Sequence, residues 1–296
     1  MTFAELKSGR VLVSDGAWGT FLHEKGLQPG ECPELWNVTH PNEVYDIAKS
    51  YVEAGADMIE TNSFGGSRLK LQHYGLADRS AELNEEAARI SKRAAGEVCY
   101  VLGSIGPTGK ILIMGDVTEE EIYDAFKVQA MALAKGGADA IVVETMSAVD
   151  EAVLAIRAAK ENTPLPVICT FTFEKTIEGD YKTMMGVSPE MMAAAVLPAG
   201  ADVIGANCGN GMARMIDIIT VLHRIAPDTP LLVHANAGAP IVQKGETVFP
   251  EKPEDMFRLT PQLIEAGANI IGGCCGTTPA HIAAIARAVK LYEKRK

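Results

Sequence analysis

Four times along the chain a glycine–alanine pair and an acid or amide lead into a short apolar run. Gly55-Ala56-Asp57-Met58-Ile59 leads to Glu60-Thr61-Asn62, and Gly137-Ala138-Asp139-Ala140-Ile141 leads to Glu144-Thr145. Gly200-Ala201-Asp202-Val203-Ile204 leads to Asn207-Cys208, and Gly267-Ala268-Asn269-Ile270-Ile271 leads to Cys274-Cys275. A glycine that stops a helix, a small polar turn and then a buried run describe a helix handing over to a parallel strand. Seven positions beyond each glycine stand Asn62, Glu144, Asn207 and Cys274. A polar or sulfur group therefore recurs at the C-terminal end of four strands.

Four more strand signals fill the gaps: Val11–Val13, Val98–Leu102, Val167–Phe171 and Leu231–Val233. Helical spacing covers 42–54, where Val44, Ile47, Ala48 and Tyr51 share one side, and stretches near 79–95, 118–136, 148–161, 189–199, 212–225, 254–266 and 279–293. Thr118 with Glu121 predicts a capping box, and Pro189 and Pro279 suit first-turn positions. The segment from Asp15 through Pro41 reads as one long loop, as do 174–188 and 240–253. Eight unbroken strand–helix alternations predict an α/β fold, a (β/α)8 TIM barrel, as a single domain over 1–296. An open doubly wound sheet is the alternative, but no GxGxxG follows the first strand.

Composition excludes several classes. At 47% hydrophobic and 22% charged residues the chain can bury a sizeable core, and disorder does not fit. A net charge of −11 disfavours binding to a phosphate backbone. Met1 to Arg10 lacks the apolar region of a signal peptide, and no run approaches membrane-spanning length. Six cysteines, two of them adjacent, do not resemble a secreted disulfide framework, so a reducing cytoplasm is expected.

The adjacent pair lies in Gly272-Gly273-Cys274-Cys275-Gly276-Thr277-Thr278-Pro279. Neighbouring side chains on a strand face opposite ways, so two thiols aimed at one target must lie beyond the strand end. A barrel brings Cys208, after strand six, to the same C-terminal rim as Cys274 and Cys275, after strand eight. Three thiolates converging there suit zinc with an open fourth position, and sulfur ligands favour zinc over magnesium or calcium. A vicinal disulfide or three unrelated buried cysteines are the alternatives. Elsewhere, Cys32 falls in the first loop, while Cys99 and Cys169 read as packing groups in strands. Trp18 and His234 face the site region as packing, loop-bonding or supporting groups. Met184, Met185, Met191 and Met192 read as core filling or a pliable lid, and Glu119-Glu120-Glu121 as a solvated helix start.

These residues resemble a known family. Gly205-Ala206-Asn207-Cys208 with Gly272 to Pro279 is similar to the zinc signature of the homocysteine S-methyltransferases. Asp15-Gly16-Ala17-Trp18-Gly19-Thr20, Thr61-Asn62-Ser63-Phe64-Gly65, Ile105-Gly106-Pro107-Thr108-Gly109, Glu144-Thr145 and Asn236-Ala237-Gly238 follow in the family's order. The resemblance spans nearly the whole chain and is strongest to the homocysteine-binding module of cobalamin-dependent methionine synthase. It implies zinc held by Cys208, Cys274 and Cys275, with the homocysteine sulfur as fourth ligand and Asn236 able to take that place in the empty site. It further implies that Asp15 and Glu144 bind the substrate ammonium and that backbone amides around Gly16 and Ala17 hold its carboxylate.

The expected activity is methyl transfer to the homocysteine thiolate, giving methionine. The folate, cobalamin and reactivation modules of cobalamin-dependent methionine synthases are absent from the sequence given, so the expected donor is a separate methyl-corrinoid protein carrying methylcobalamin. A small donor such as S-methylmethionine or a betaine is the second expectation. A non-catalytic thiol- or zinc-binding partner subunit is the rival class.

Overall fold

The computed structural model describes residues 10–243 and 246–295. The stretch searched for a signal sequence, apart from Arg10, lies outside the described residues. Eight parallel strands, β1 (Leu12–Val13), β2 (Met58–Glu60), β3 (Tyr100–Ile105), β4 (Ala140–Met146), β5 (Val167–Phe171), β6 (Val203–Asn207), β7 (Leu231–Ala235) and β8 (Ile270–Gly273), pair in sequence order. The ends meet: β8 pairs with β1 through Leu12–Ile270 and Val13–Ile271, and a parallel bridge between Ser14 and Met58 joins β1 to β2. Eight helices follow their strands as α1 (Pro41–Glu53), α2 (Ser80–Ala95), α3 (Glu119–Gly136), α4 (Val149–Asn162), α5 (Pro189–Val196), α6 (Met212–Ile225), α7 (Pro253–Glu265) and α8 (Pro279–Glu293). This is the single-domain (β/α)8 barrel that the alternation predicts. Among the described residues no helix is long and apolar enough to cross a membrane.

The repeated triplet has a physical reason. Gly55, Gly137, Gly200 and Gly267 all take positive φ, between 95° and 112°, where an L side chain is strained. The acid or amide two positions on then clamps the preceding strand. Asp57 Oδ2 accepts the Val13 N–H at 2.9 Å while the Asp57 N–H donates to Val13 O at 2.7 Å. Asp139 does the same to Val101, Asp202 to Val167 and Asn269 to Leu231, each side-chain bond at 2.8 Å. The motif thus sets strand register at the N-terminal end of the barrel, opposite the site.

Inside the barrel one apolar layer takes Leu12, Met58, Leu102, Val142, Ile168, Val203, Leu232 and Ile270, one from each strand, with Ala140 beneath. Each large member contributes about 1.5–3 kcal/mol by burial. Alternate residues such as Val13, Ile59, Val101, Val143, Cys169, Ile204, Val233 and Ile271 face outward into the larger core under the helices.

Some boundaries differ from expectation. The strand expected at Val98–Leu102 begins at Tyr100 and runs on to Ile105. Val98 is exposed in the turn before it, and Gly103, read as loop, is a strand residue whose Cβ would crowd Ile141 and Leu133 at 3.0–3.1 Å. Helix α5 ends at Val196, short of 199, with Pro198 just beyond. The first loop is not featureless: it holds a helix at Gly19–Glu24, a 3-10 turn at Pro33–Leu35 and a short helix at Trp36–Thr39. The loops after β5 and β7 each fold as an antiparallel hairpin, Glu174–Lys175 with Tyr181–Lys182 and Ile241–Gln243 with Glu246–Val248. Of the four methionines read as core filling or a pliable lid, only Met192 is buried in the core; Met184, Met185 and Met191 are exposed. The Thr118–Glu121 capping box forms, and Pro189 and Pro279 open their helices.

Candidate metal and substrate site

Two residues up each strand from the apolar layer, the inward positions become polar or bare: Ser14, Glu60, Ser104, Glu144, Thr170, Gly205, His234 and Gly272, all buried. Period two dictates this, since residues i and i+2 of a strand share a face. The bare positions are required. A Cβ on Gly205 would lie 1.9 Å from Leu232 O, and one on Gly272 would lie 2.9 Å from His234 Cδ2. Above this layer a cavity of about 280 Å³ opens to the C-terminal face. Gly16, Ala17 and Trp18 form part of its wall, with Glu60, Glu144, His234 and the three cysteines.

The three cysteines converge. Their Sγ atoms all lie within 4.8 Å of one another, and Cys208 Sγ is 3.8 Å from Cys275 Sγ. Sulfurs about 2.3 Å from one tetrahedral zinc stand about 3.8 Å apart, so the trio has the spacing such an ion demands. Backbone bonds fix the cradle: Cys208 N–H donates to His234 O at 3.0 Å and Cys274 N–H to Ala235 O at 2.8 Å. As expected, Cys274 and Cys275 lie just past the end of β8, and Gly276, at φ 78°, turns the chain into α8. Cys208 itself takes φ 61°, a left-handed conformation rare for a side-chain-bearing residue. Hydrogen bonds from Cys274 and Cys275 lower the Cys208 thiol to about 3, and bonding to Cys208 raises Cys275 to about 11 and Cys274 well above its usual range. Asn236 is buried just past β7, and its Oδ1 has no hydrogen-bond partner. Burial instead pushes the Cys32 and Cys99 thiols up to about 12, which leaves them inert packing groups. Cys99 lies one residue before β3, while Cys169 sits in β5.

The carboxylates make the second half of the site. Glu144 accepts from Ser104 Oγ, and Asn207 Nδ2 approaches its other oxygen at 3.4 Å. Burial raises Glu144 to about 7. Asp15 lies beneath the cavity wall rather than in it. Its Oδ2 accepts from Trp18 Nε1 at 2.9 Å and from the Glu60 N–H at 2.8 Å, and its Oδ1 from Ser14 Oγ at 3.3 Å. Burial raises Asp15 to about 7 as well. The Gly16–Ala17 turn is tied down: the Ala17 N–H donates to Thr277 Oγ1 and Ala17 O accepts from Tyr51. Trp18 lines the cavity through a ring anchored on Asp15.

Three contributors were given no role of their own from sequence. Glu60 lines the cavity and is raised well above the usual range, first by burial and then by Glu144 and Asp15. Asn207 bridges β4 to β6 through Thr145 and Thr170. Glu34, from the first loop, reaches the cavity and accepts the Gly65 N–H at 2.6 Å, fastening that loop to the one after β2. The signal for Glu60 was present: it stands two residues after buried Met58, in the register that places Glu144 after Val142.

Comparison with known proteins decides the family. A model of the homocysteine S-methyltransferases matches residues 12–289. The chain belongs to the homocysteine S-methyltransferase family. Methionine synthases of Mycobacterium tuberculosis and Mycobacterium leprae are 38% and 35% identical to it over 96% of this chain. The chain spans about a quarter (25%) of the length of each of those relatives. Among solved structures, the metallated homocysteine methyltransferase MmuM of Escherichia coli superposes with a TM-score of 0.78 at 23% identity, covering 96% of this chain and 98% of that one. At that identity the likeness shows a shared fold. The matched span includes both segments that carry the sulfur cradle, Asn207-Cys208 and Cys274-Cys275.

Proposed function

We propose that this barrel binds homocysteine and presents its sulfur to a methyl donor, so that methionine is formed. The convergence of Cys208, Cys274 and Cys275 at one end of a cavity whose wall carries buried carboxylates is the observation that supports it. The donor set is all sulfur, which suits zinc, and zinc held by Cys208, Cys274 and Cys275 would supply the acidity that removes the proton from a substrate thiol whose pKa is about 8.5. The chain's own residues do the rest. Asn236 would offer its unpartnered side-chain oxygen to the metal in the empty site. Glu144 receives the ammonium, and the Gly16–Ala17 turn lies against the carboxylate. The sulfur then bonds to the methyl carbon as the donor–carbon bond breaks, and the bonding pair leaves with the donor.

For the donor we favour methylcobalamin carried by a protein over a small molecule. The Asn236-Ala237-Gly238 version of the seventh loop resembles the cobalamin branch, and the loops around the mouth suit a large partner. Ile113 after β3, Ile177 and Met184 after β5, and Val242 after β7 are each at least 80% exposed. Apolar groups left in water on several loops of one face suit a protein surface that covers them. All six cysteines are free, in keeping with a reducing compartment.

One assay tests the whole reading: homocysteine offered with methylcobalamin, a methyl-corrinoid protein, S-methylmethionine, S-adenosylmethionine and glycine betaine in parallel. Methionine is expected from the corrinoid donors. Homocysteine binding with no methionine from any donor would instead mark a thiol-binding subunit.

A further inference from the structure

Glu60 is the one acid in the cavity wall with an oxygen that nothing satisfies. Its Oε1 is buried with no hydrogen-bond partner, and its side chain is 10% exposed. His234 Nδ1 stands 3.4 Å away, out of hydrogen-bonding geometry, and His234 Nε2 is also buried without a partner. A buried acceptor left open costs about 1–3 kcal/mol, and more when charged, and Glu60 carries it in the wall of the cavity. Its backbone is held at both ends, the N–H by Asp15 Oδ2 and the carbonyl by Ser91 Oγ at 3.0 Å. The side chain is therefore aimed, not adrift.

The charge balance says what enters. Asp15 spends both oxygens inside the protein, on Ser14, Trp18 and the Glu60 N–H. Glu144 spends one on Ser104. Glu60 and Glu144 occupy the same inward layer and both line the cavity, with the Glu144 charge felt at Glu60. An alkylammonium carries three N–H donors and one positive charge, and two carboxylates on one wall answer both.

We propose that Glu60, paired with Glu144, binds the ammonium of the amino-acid thiol, and that Asp15 acts behind them by fixing Trp18 and the Glu60 backbone. Glu60 then selects thiols that carry an α-amino group. This rests on the functional reading above, and its test separates the two. The zinc-loaded protein, its Glu60→Gln variant and its Glu60→Asp variant are titrated calorimetrically with homocysteine and with 4-mercaptobutyrate, which has the same chain without the amino group. Glu60→Gln should weaken homocysteine by about ten-fold or more, as loss of a charge-assisted bond requires, with 4-mercaptobutyrate and zinc content unchanged. Glu60→Asp, which keeps the charge but shortens the reach, should fall between. Equal losses for both thiols, or unchanged homocysteine binding in Glu60→Gln, overturns the assignment. Absence of turnover with every donor would defeat the functional reading alone, because the binding titration still decides for Glu60.

Discussion

Asn207 grips Thr145 at two points: its Oδ1 accepts the Thr145 N–H at 2.8 Å, and its Nδ2 donates to the Thr145 hydroxyl at 2.7 Å. Thr145 is held by this in a left-handed conformation, φ 60°, within the irregular stretch of β4 between Val143 and Met146. The same amide accepts from Thr170 at 2.7 Å. One side chain thereby couples Glu144, which precedes Thr145, to Cys208, which follows Asn207. The carboxylate end and the sulfur end of the site share a single brace.

Removing that brace should damage both ends. Asn207→Ala leaves the Thr145 N–H and the Thr170 hydroxyl without their partner and releases a strained turn. A loss of about 2–4 kcal/mol in denaturant titration is expected, with weaker zinc retention in a chelator competition. A variant with the wild-type midpoint and wild-type zinc affinity would show that the brace carries no load.

Serine at Cys208, Cys274 or Cys275 should abolish both metal retention and turnover. Groups merely behind a metal ligand typically cost about 10- to 100-fold when removed, so losing a ligand should exceed that. The wild type should hold one zinc per chain by elemental analysis. The fold should survive chelation, because none of the three belongs to an apolar core cluster. Full activity in any one of the serine variants is incompatible with the proposed chemistry.

The buried acids give a signed pH effect. Burial raises Asp15 and Glu144 to about 7 in the folded protein, so between their unfolded values near 4 and pH 7 the folded state holds more protons than the unfolded one. Stability must then fall as pH rises through that window, and the loss is complete above 7. Melting temperature of the metal-free, ligand-free protein should drop between pH 5 and 8 relative to a Glu144→Gln variant (about the window set by those two values). Homocysteine, bringing a cation to the acids, should shrink the difference. A flat difference across the window would mean that these acids ionise normally.

How far this was legible from sequence depends on what each residue answers to. The repeated triplet revealed the barrel because its glycine and its acid have local jobs, a left-handed helix stop and a clamp on the strand N–H, that recur wherever the unit recurs. Cys274 and Cys275 were legible because adjacency on a strand forbids a common target and forces them past its end. Val98 misled because a β-branched residue before Tyr100 and Val101 looks like a strand start, whereas the turn closing α2 leaves it in water. Met184 and Met185 misled because an apolar side chain in a hairpin loop is silent about whether a core lies beneath it. Asn207 and Glu60 were legible as positions, one at a strand end and one in the inward register, but not in what they do. The work of Asn207 is a contact with a residue 62 positions away, and that of Glu60 is a missing contact. Neither role leaves a local pattern.

Gly276 tests how tightly the cradle is built. It sits at φ 78°, and a Cβ there would lie 2.3 Å from Phe249 Cγ. Gly276→Ala must therefore twist the turn or push Phe249 aside, at a cost of about 1–3 kcal/mol. Because Cys275 is its neighbour, zinc affinity should fall with stability, which a chelator competition and a thermal melt would record together. Unchanged zinc affinity would mean that the turn and the cradle move independently.

The exposed apolar groups on the mouth loops make the donor reading testable without knowing the partner's structure. Ile113, Ile177 and Met184 are exposed and are not among the residues that line the cavity, so a charge at each should leave homocysteine binding and zinc content intact. A surface that docks a protein, however, loses affinity when a charge is buried against it unpaired. Combined Ile113→Glu, Ile177→Glu and Met184→Glu should slow methyl transfer from a methyl-corrinoid protein by about ten-fold or more through KM, and leave the rate with free methylcobalamin unchanged. Equal rates with the protein-bound donor before and after substitution would show that no protein covers this face during transfer, and the small-donor reading would then lead.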